Sequence, residues 1–202
     1  MFEAASVSNL DIERTKQYQI EAQRSLRQKS YTNEDEFLQS LNMVSIVEPF
    51  TKFNTPRVAQ LSQRSNQFNL RTVRYTEADI ESFSVSEDFF TFTFGLEDKF
   101  GDNGLICIII LKKENEHNLF IDTWLMSCRV LKRGMEHFAL NQIINKAREY
   151  NFKTITGEYI PTPKNYLVKD HYKNLGFTKK DTLWILNVDN YELKKPHIQI
   201  KP

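Results

Sequence analysis

Hydrophobic positions along this chain follow two different periods. Phe90-Thr-Phe-Thr-Phe94 repeats every second residue, residues 105–111 form an unbroken apolar run, and residues 119–131 form a third strand-like stretch. A period of two marks a strand with one buried face, and a continuous run marks a strand covered on both faces. Gly101-Asp-Asn-Gly104 reads as a turn and residues 112–118 as a polar hairpin tip, so three consecutive antiparallel strands are expected. Behind them the period becomes helical, with Met135, Phe138, Ala139, Ile143 and Ala147 on one face of a helix over 134–150. Residues 154–160 read as a strand. Thr162-Pro163 opens a second helix that Gly176 closes, and residues 183–188 make another strand. The remaining tail is polar, with an Ile198-Gln-Ile200 alternation that suits an edge strand.

The first third of the chain is thinner in apolar residues. Residues 10–29 form a helix whose apolar stripe is only Leu10, Tyr18, Ala22 and Leu26. Thr32 or Asn33 caps a helix over 34–41, a strand follows at 43–47, and Pro56 starts a helix reaching residue 66. Residues 70–75 read as a strand, and Thr76-Glu-Ala-Asp79 as a capping start to a short helix. We expect a boundary at residue 50. Residues 1–50 would be a helical arm or linker without a core of its own, 51–190 the main domain, and 191–202 a polar C-terminal tail.

Composition adds bounds. With 40% hydrophobic residues among 202 the chain can build one good core, and its net charge of +1 gives no overall field for nucleic acid or an anionic membrane. Any basic site must be local. The absence of a long apolar run or a signal-peptide pattern makes a cytoplasmic location the expectation. The two cysteines, Cys107 and Cys128, lack zinc-type spacing, so neither a disulfide framework nor a metal site is expected.

The chemistry concentrates in residues 122–136. Asp122 lies in the strand, Cys128 follows, and Arg129, Lys132, Arg133 and Gly134 lead straight into a helix. A helix N-terminus beside basic residues favours anions, because unpaired N–H groups and the helix dipole point outward. Arg129, Arg133 and that helix terminus would lower the Cys128 pKa toward a nucleophilic thiolate, whereas strand alternation could instead make Cys128 a core residue. His137 and His171 are candidate bases. Asp122 could orient a base, bind a substrate hydroxyl, or pair with Arg129 or Arg133. Asn66, Gln67 and Asn69 could line an acyl pocket, although a helix cap and turn explain two of them, and Glu136 is a candidate substrate residue that also simply suits a first helical turn. Cys107 reads as structural.

The order meander, helix, strand, helix, strand over residues 69–188 resembles the GNAT acyltransferase fold: an α/β (α+β) protein with a mixed, mainly antiparallel sheet and helices on both faces, here behind a helical arm. That family carries Arg or Gln, two residues, Gly, one residue, then Gly or Ala in the loop whose amides wrap the pyrophosphate of coenzyme A. Arg129-Val-Leu-Lys132-Arg-Gly134 keeps the Arg and the second Gly and puts Lys132 at the first Gly. A single phosphate, such as that of carrier-protein phosphopantetheine, would tolerate the change better. Asn165, Val168, Tyr172 and Gly176-Phe177 resemble the fold's later pattern, which implies Asn165 on the pantetheine arm and Tyr172 as a proton donor to a leaving thiolate.

A longer resemblance is carried by Arg57-Val-Ala-Gln-Leu61, Asn66-Gln-Phe-Asn69, Arg74-Tyr-Thr76, Phe100-Gly-Asp-Asn-Gly104, Ile121-Asp-Thr123, Met126-Ser-Cys-Arg-Val130 and Leu175-Gly-Phe177. Together these are similar to the C-terminal half of the FkbH-like proteins of methoxymalonyl and glyceryl extender-unit biosynthesis. The resemblance implies an upstream haloacid-dehalogenase-type (HAD) phosphatase domain and transfer of a glyceryl-type group from an acyl phosphate to an acyl carrier protein. Cys128 would be the acyl acceptor, and Arg129, Lys132, Arg133, Gly134 and Asn165 would hold the phosphopantetheine, or coenzyme A. The phosphatase needs an Asp-x-Asp-x-Thr loop. Asp11-Ile-Glu-Arg-Thr15 misses it, and Asp11 reads as a helix cap. A carrier-docking module without catalysis and an ordinary coenzyme A N-acetyltransferase are the alternatives.

Overall fold

The apolar run at 105–111 is the middle of an eight-stranded mixed sheet among the described residues. The computed structural model describes residues 9–201, with side chains from residue 19. The strands are β1 (Met43–Glu48), β2 (Phe89–Asp98), β3 (Gly101–Lys113), β4 (Asn118–Met126), β5 (Thr154–Glu158), β6 (Thr178–Lys180), β7 (Leu183–Asn187) and β8 (Ile198–Ile200). They lie in the order β6-β7-β5-β4-β3-β2-β1-β8. The β1–β8 and β4–β5 pairs are parallel and the others antiparallel.

Both faces are covered, which is why β3 is apolar from Leu105 to Leu111. Ile106, Cys107, Ile109 and Leu111 join the larger core under α5 (Met135–Glu149), which contributes Phe138, Ala139, Ile143 and Ala147. Ile108 and Ile110 pack on the opposite face against Val58 and Ala59 of α3 (Thr55–Arg64) and Ile80 of α4 (Glu77–Val85). Cys107 is fully buried in that core.

Several expected boundaries move. The turn between β2 and β3 lies at residues 99–100, so Gly101 to Gly104 already belong to β3. The strand expected over 119–131 stops at Met126, because a 3-10 turn at Cys128–Val130 follows. The expected strand at 70–75 is irregular, with Thr72 at φ 57. The second helix is broken into a 3-10 turn at Tyr166–Val168 and α6 (His171–Asn174), and β6 was not foreseen.

Within the expected arm, Phe37, Leu41 and Met43 are buried in the main core, whereas the first helix meets the sheet by charge. In α1 (Asn9–Gln28), Ala22 and Leu26 of the expected stripe are exposed, while Leu10, Tyr18 and the Asp11–Thr15 stretch lie outside the described side chains. Arg24 is the buried contact instead, donating to Asp98 at the end of β2 through Nε at 3.0 Å and Nη2 at 2.7 Å. Past α2 (Glu34–Ser40), β1 enters the sheet between β2 and β8, so strands from residues 43–48 and 198–200 flank the domain expected at 51–190. The tail reaches that edge across α5, where the Asn141 side chain pairs with the backbone of Lys194 in both directions.

Candidate active site

Where β4 ends, the chain turns back sharply at Cys128–Val130, and this turn rather than strand alternation sets the direction of Cys128. The thiol is exposed. It opens into a cavity of about 710 Å³ lined by Leu61, Arg64, Asn66, Gln67, Phe68 and Lys164 among others, and Sγ donates to Gln67 Oε1 at 3.0 Å. Partial burial pushes the Cys128 thiol up rather than down, only partly offset by backbone N–H groups. The expected activation by Arg129 and Arg133 is therefore corrected: neither arginine contributes to its titration.

The reason lies in where the basic loop points. Arg133 is buried, donating to Asp98 at 3.3 Å, to Glu21 at 3.1 Å and to the Arg129 carbonyl. Arg129 is half-buried, with Nε on Ser127 Oγ at 3.2 Å, and desolvation lowers its pKa. Lys132 is exposed and left-handed at φ 61, the position at which the resembled pattern has glycine. Gly134 is left-handed at φ 80, and a Cβ there would stand 3.1 Å from Pro196 of the tail. Glu136 turns back on this loop. Burial raises its pKa, partly offset by the nearby backbone of Glu136 and Lys132.

The sheet opens beside this loop. β4 and β5 pair only from Asn118 to Ile121 against Thr154 to Gly157. Beyond that point the gap is filled by residues 68–70: Leu70 N donates to Trp124 O at 3.3 Å, Met126 N to Phe68 O at 3.0 Å, and Ile160 N to Leu70 O at 2.9 Å. Asn165, expected on a pantetheine arm, is fully buried and spent on the same segment. Its Nδ2 donates to Asn69 O at 3.0 Å and Ile160 O at 2.9 Å, and its Oδ1 accepts from Thr162 N at 2.7 Å and Tyr159 Oη at 3.2 Å. Asn69 is also buried, with Oδ1 accepting from Thr72 N, so it is a turn residue rather than a pocket wall.

Arg71 rivets the diverging strands together. Its Nη1 donates to Asp122 Oδ1 at 2.8 Å and its Nε to Glu158 Oε2 at 3.1 Å. Asp122 Oδ2 accepts from Tyr75 Oη at 2.6 Å and from Thr123 Oγ1 at 3.0 Å. Asp122 is therefore committed to Arg71 and Tyr75, in place of the expected Arg129 or Arg133. Burial and the Asp122 carboxylate push the Tyr75 hydroxyl up. Tyr172 packs over Gly157, its hydroxyl buried with no partner among the described residues, and burial pushes its pKa far up. It does not line the Cys128 cavity.

A separate groove of about 300 Å³ lies between α5 and α6, lined by Leu131, Lys132, Glu136, His137, Val168 and His171 among others. Both candidate bases line this groove and not the Cys128 cavity, and Phe68 lines both chambers. Burial lowers His171 to about 3. Of the expected pocket residues, Gln67 holds the thiol and Asn66 lines the cavity while its Oδ1 accepts from Arg74. Arg64, Phe68, Arg71 and Lys164 were missed. Each sits in a polar or irregular stretch, and the signal was only their proximity in sequence to the Asn66-Gln-Phe-Asn69 and Pro163-Lys-Asn165 stretches.

Coenzyme A, which the resemblance implies, does not fit this arrangement: the Asn165 amide holds Asn69 and Ile160, and the strand opening holds residues 68–70. Among the described residues no His/Cys/Asp/Glu group of three or more is placed to hold a metal ion, and no helix is long and apolar enough to cross a membrane.

No protein-family model matches the chain, and no curated protein matches it. Solved structures do. The ribosomal-protein-S18-alanine N-acetyltransferase from Escherichia coli is similar at TM-score 0.53 and 13% identity, covering 71% of this chain and 94% of that one. An N-acetyltransferase from Staphylococcus aureus Mu50 gives 0.52 and 17%, covering 72% and 99%. The spermidine N-acetyltransferase from Vibrio cholerae, in complex with CoA and spermine, gives 0.55 and 10%, covering 72% and 96%. With an eight-stranded mixed sheet and six α-helices among its described residues, the chain has the fold of the GNAT acetyltransferases.

Proposed function

We propose that this chain is the acyltransferase domain of an FkbH-like enzyme, moving a glyceryl-type acyl group through Cys128 to the phosphopantetheine thiol of an acyl carrier protein. The observation that carries the proposal is the Cys128 thiol, open to a cavity of about 710 Å³ and held by Gln67 at 3.0 Å. In the first step the Cys128 sulfur, its proton lost to water, attacks the acyl carbon of an acyl phosphate. The carbon–oxygen bond to phosphate breaks and phosphate leaves with the electron pair. The carrier thiolate then attacks the resulting thioester, and Cys128 leaves as thiolate. Arg64 and Lys164 at the cavity wall supply positive charge near the departing phosphate. An upstream HAD-type phosphatase domain and a cytoplasmic setting belong to the same proposal.

One observation favours a second reading, a carrier-docking module without catalysis of its own: the Cys128 thiol is pushed up, and neither candidate histidine lines its cavity. The GNAT fold supports the third reading, a coenzyme A N-acetyltransferase, while the filled strand opening speaks against it. Carrier acylation by the enzyme, compared between wild type and Cys128→Ser, separates these readings. Loss of turnover with retained carrier pull-down supports the transferase, and unchanged turnover supports the docking module. Acetyl-coenzyme A-dependent acetylation of an amine would support the third.

A further inference from the structure

We infer that residues 66–72 are a built-in occupant of the opening between β4 and β5, so that the chain does not take free coenzyme A there and acyl ligands reach Cys128 from the opposite chamber. Where β5 leaves β4, the backbone edge of β4 would be free to bond any extended, amide-bearing chain. Here residues 68–70 take that edge with three backbone hydrogen bonds, to Trp124, Met126 and Ile160. Four further contacts fix the occupant. Asn165 clasps the Asn69 carbonyl, Arg71 ties Asp122 to Glu158, and Arg74 donates to the Ser62 and Ser65 carbonyls. The Asn69 side chain holds Thr72 in a left-handed conformation, φ 57, that a β-branched residue adopts only under constraint.

Phe68, 3% exposed, is the wall this occupant raises between the two chambers. On one side lie Cys128, Gln67, Arg64 and Lys164, and on the other Lys132, Glu136, His137 and His171. A pantetheine arm carries two amides and ends in a thiol or thioester. In the α5–α6 groove it meets a strand edge already paired. From the α3 side it meets an open cavity with Cys128 in its wall.

The approach route rests on Cys128 as acyl acceptor, whereas the filled opening does not, and the test separates them. Titration of the chain with coenzyme A by calorimetry is expected to show no saturable heat up to ~1 mM, and the Leu70, Met126 and Ile160 amides should keep their hydrogen-exchange protection throughout. Saturable binding in the micromolar range, or loss of Leu70 protection as coenzyme A is added, would overturn the inference whether or not Cys128 is acylated. For the route, Leu61→Trp in the cavity should slow labelling of Cys128 by an acyl-pantetheine thioester about tenfold, and Asn174→Trp in the groove should leave it within about twofold. Circular dichroism checks that both variants fold, and the reverse pattern of rates would overturn the route.

Discussion

Cys128 sits where partial burial, not positive charge, sets its titration, and this makes its chemistry pH-dependent in a defined direction. A thiol pushed up from its ordinary value is neutral near pH 7, and its thiolate fraction grows about tenfold per pH unit until the pKa is reached. Its alkylation by iodoacetamide should therefore climb through pH 9, and a plateau near pH 7 would show activation that the geometry lacks. Lys132 carries a backbone cost instead. A non-glycine residue at φ 61 is strained, so Lys132→Gly should raise unfolding stability by about 1 kcal/mol in urea melts. It should not create coenzyme A binding, because residues 68–70 remain in place. His171 links the core to pH. Its folded pKa, about 3, lies below the 6.5 of an unfolded histidine, so the unfolded chain binds more protons between these values. Stability should fall as pH drops from 6.5 toward 3, by up to ~1.4 kcal/mol per unit, and His171→Phe should flatten that slope.

At the scale of elements, α1, the end of β2 and the loop after β4 meet where buried Arg24, Arg133 and Asp98 pair, with the partly exposed Glu21 at the edge. Removing the shared anion in Asp98→Ala would leave two buried guanidinium groups short of a partner. The expected loss is about 3–5 kcal/mol in chemical denaturation. Arg24→Met with Arg133→Met beside Asp98→Leu should recover much of it. These central elements were legible because β2 alternates over Phe90–Phe94, β3 is continuously apolar over Leu105–Leu111, and α5 repeats its apolar positions at helical spacing. The α1 contact was not, since its face is one arginine whose counterion lies 74 residues away. The short stretch 68–70 pairs by backbone alone, and backbone pairing leaves no side-chain pattern to read. Cys128 was expected inside the strand, but a 3-10 turn of three residues past the end of β4 decides its direction, and no periodicity reveals such a turn.

For the whole molecule, the fold brings the exposed Cys128 thiol to the mouth of a cavity and closes the neighbouring opening with the chain's own backbone. A catalyst built this way should work by covalent transfer through the thiol rather than by direct transfer from a cofactor lying along β4. The most direct test is intact-mass analysis and peptide mapping after incubation with a glyceryl-type acyl phosphate. The account predicts a hydroxylamine-labile acyl adduct on Cys128 in the wild type and none in Cys128→Ala; an adduct that persists in Cys128→Ala, or carrier acylation proceeding at full rate without Cys128, would contradict it.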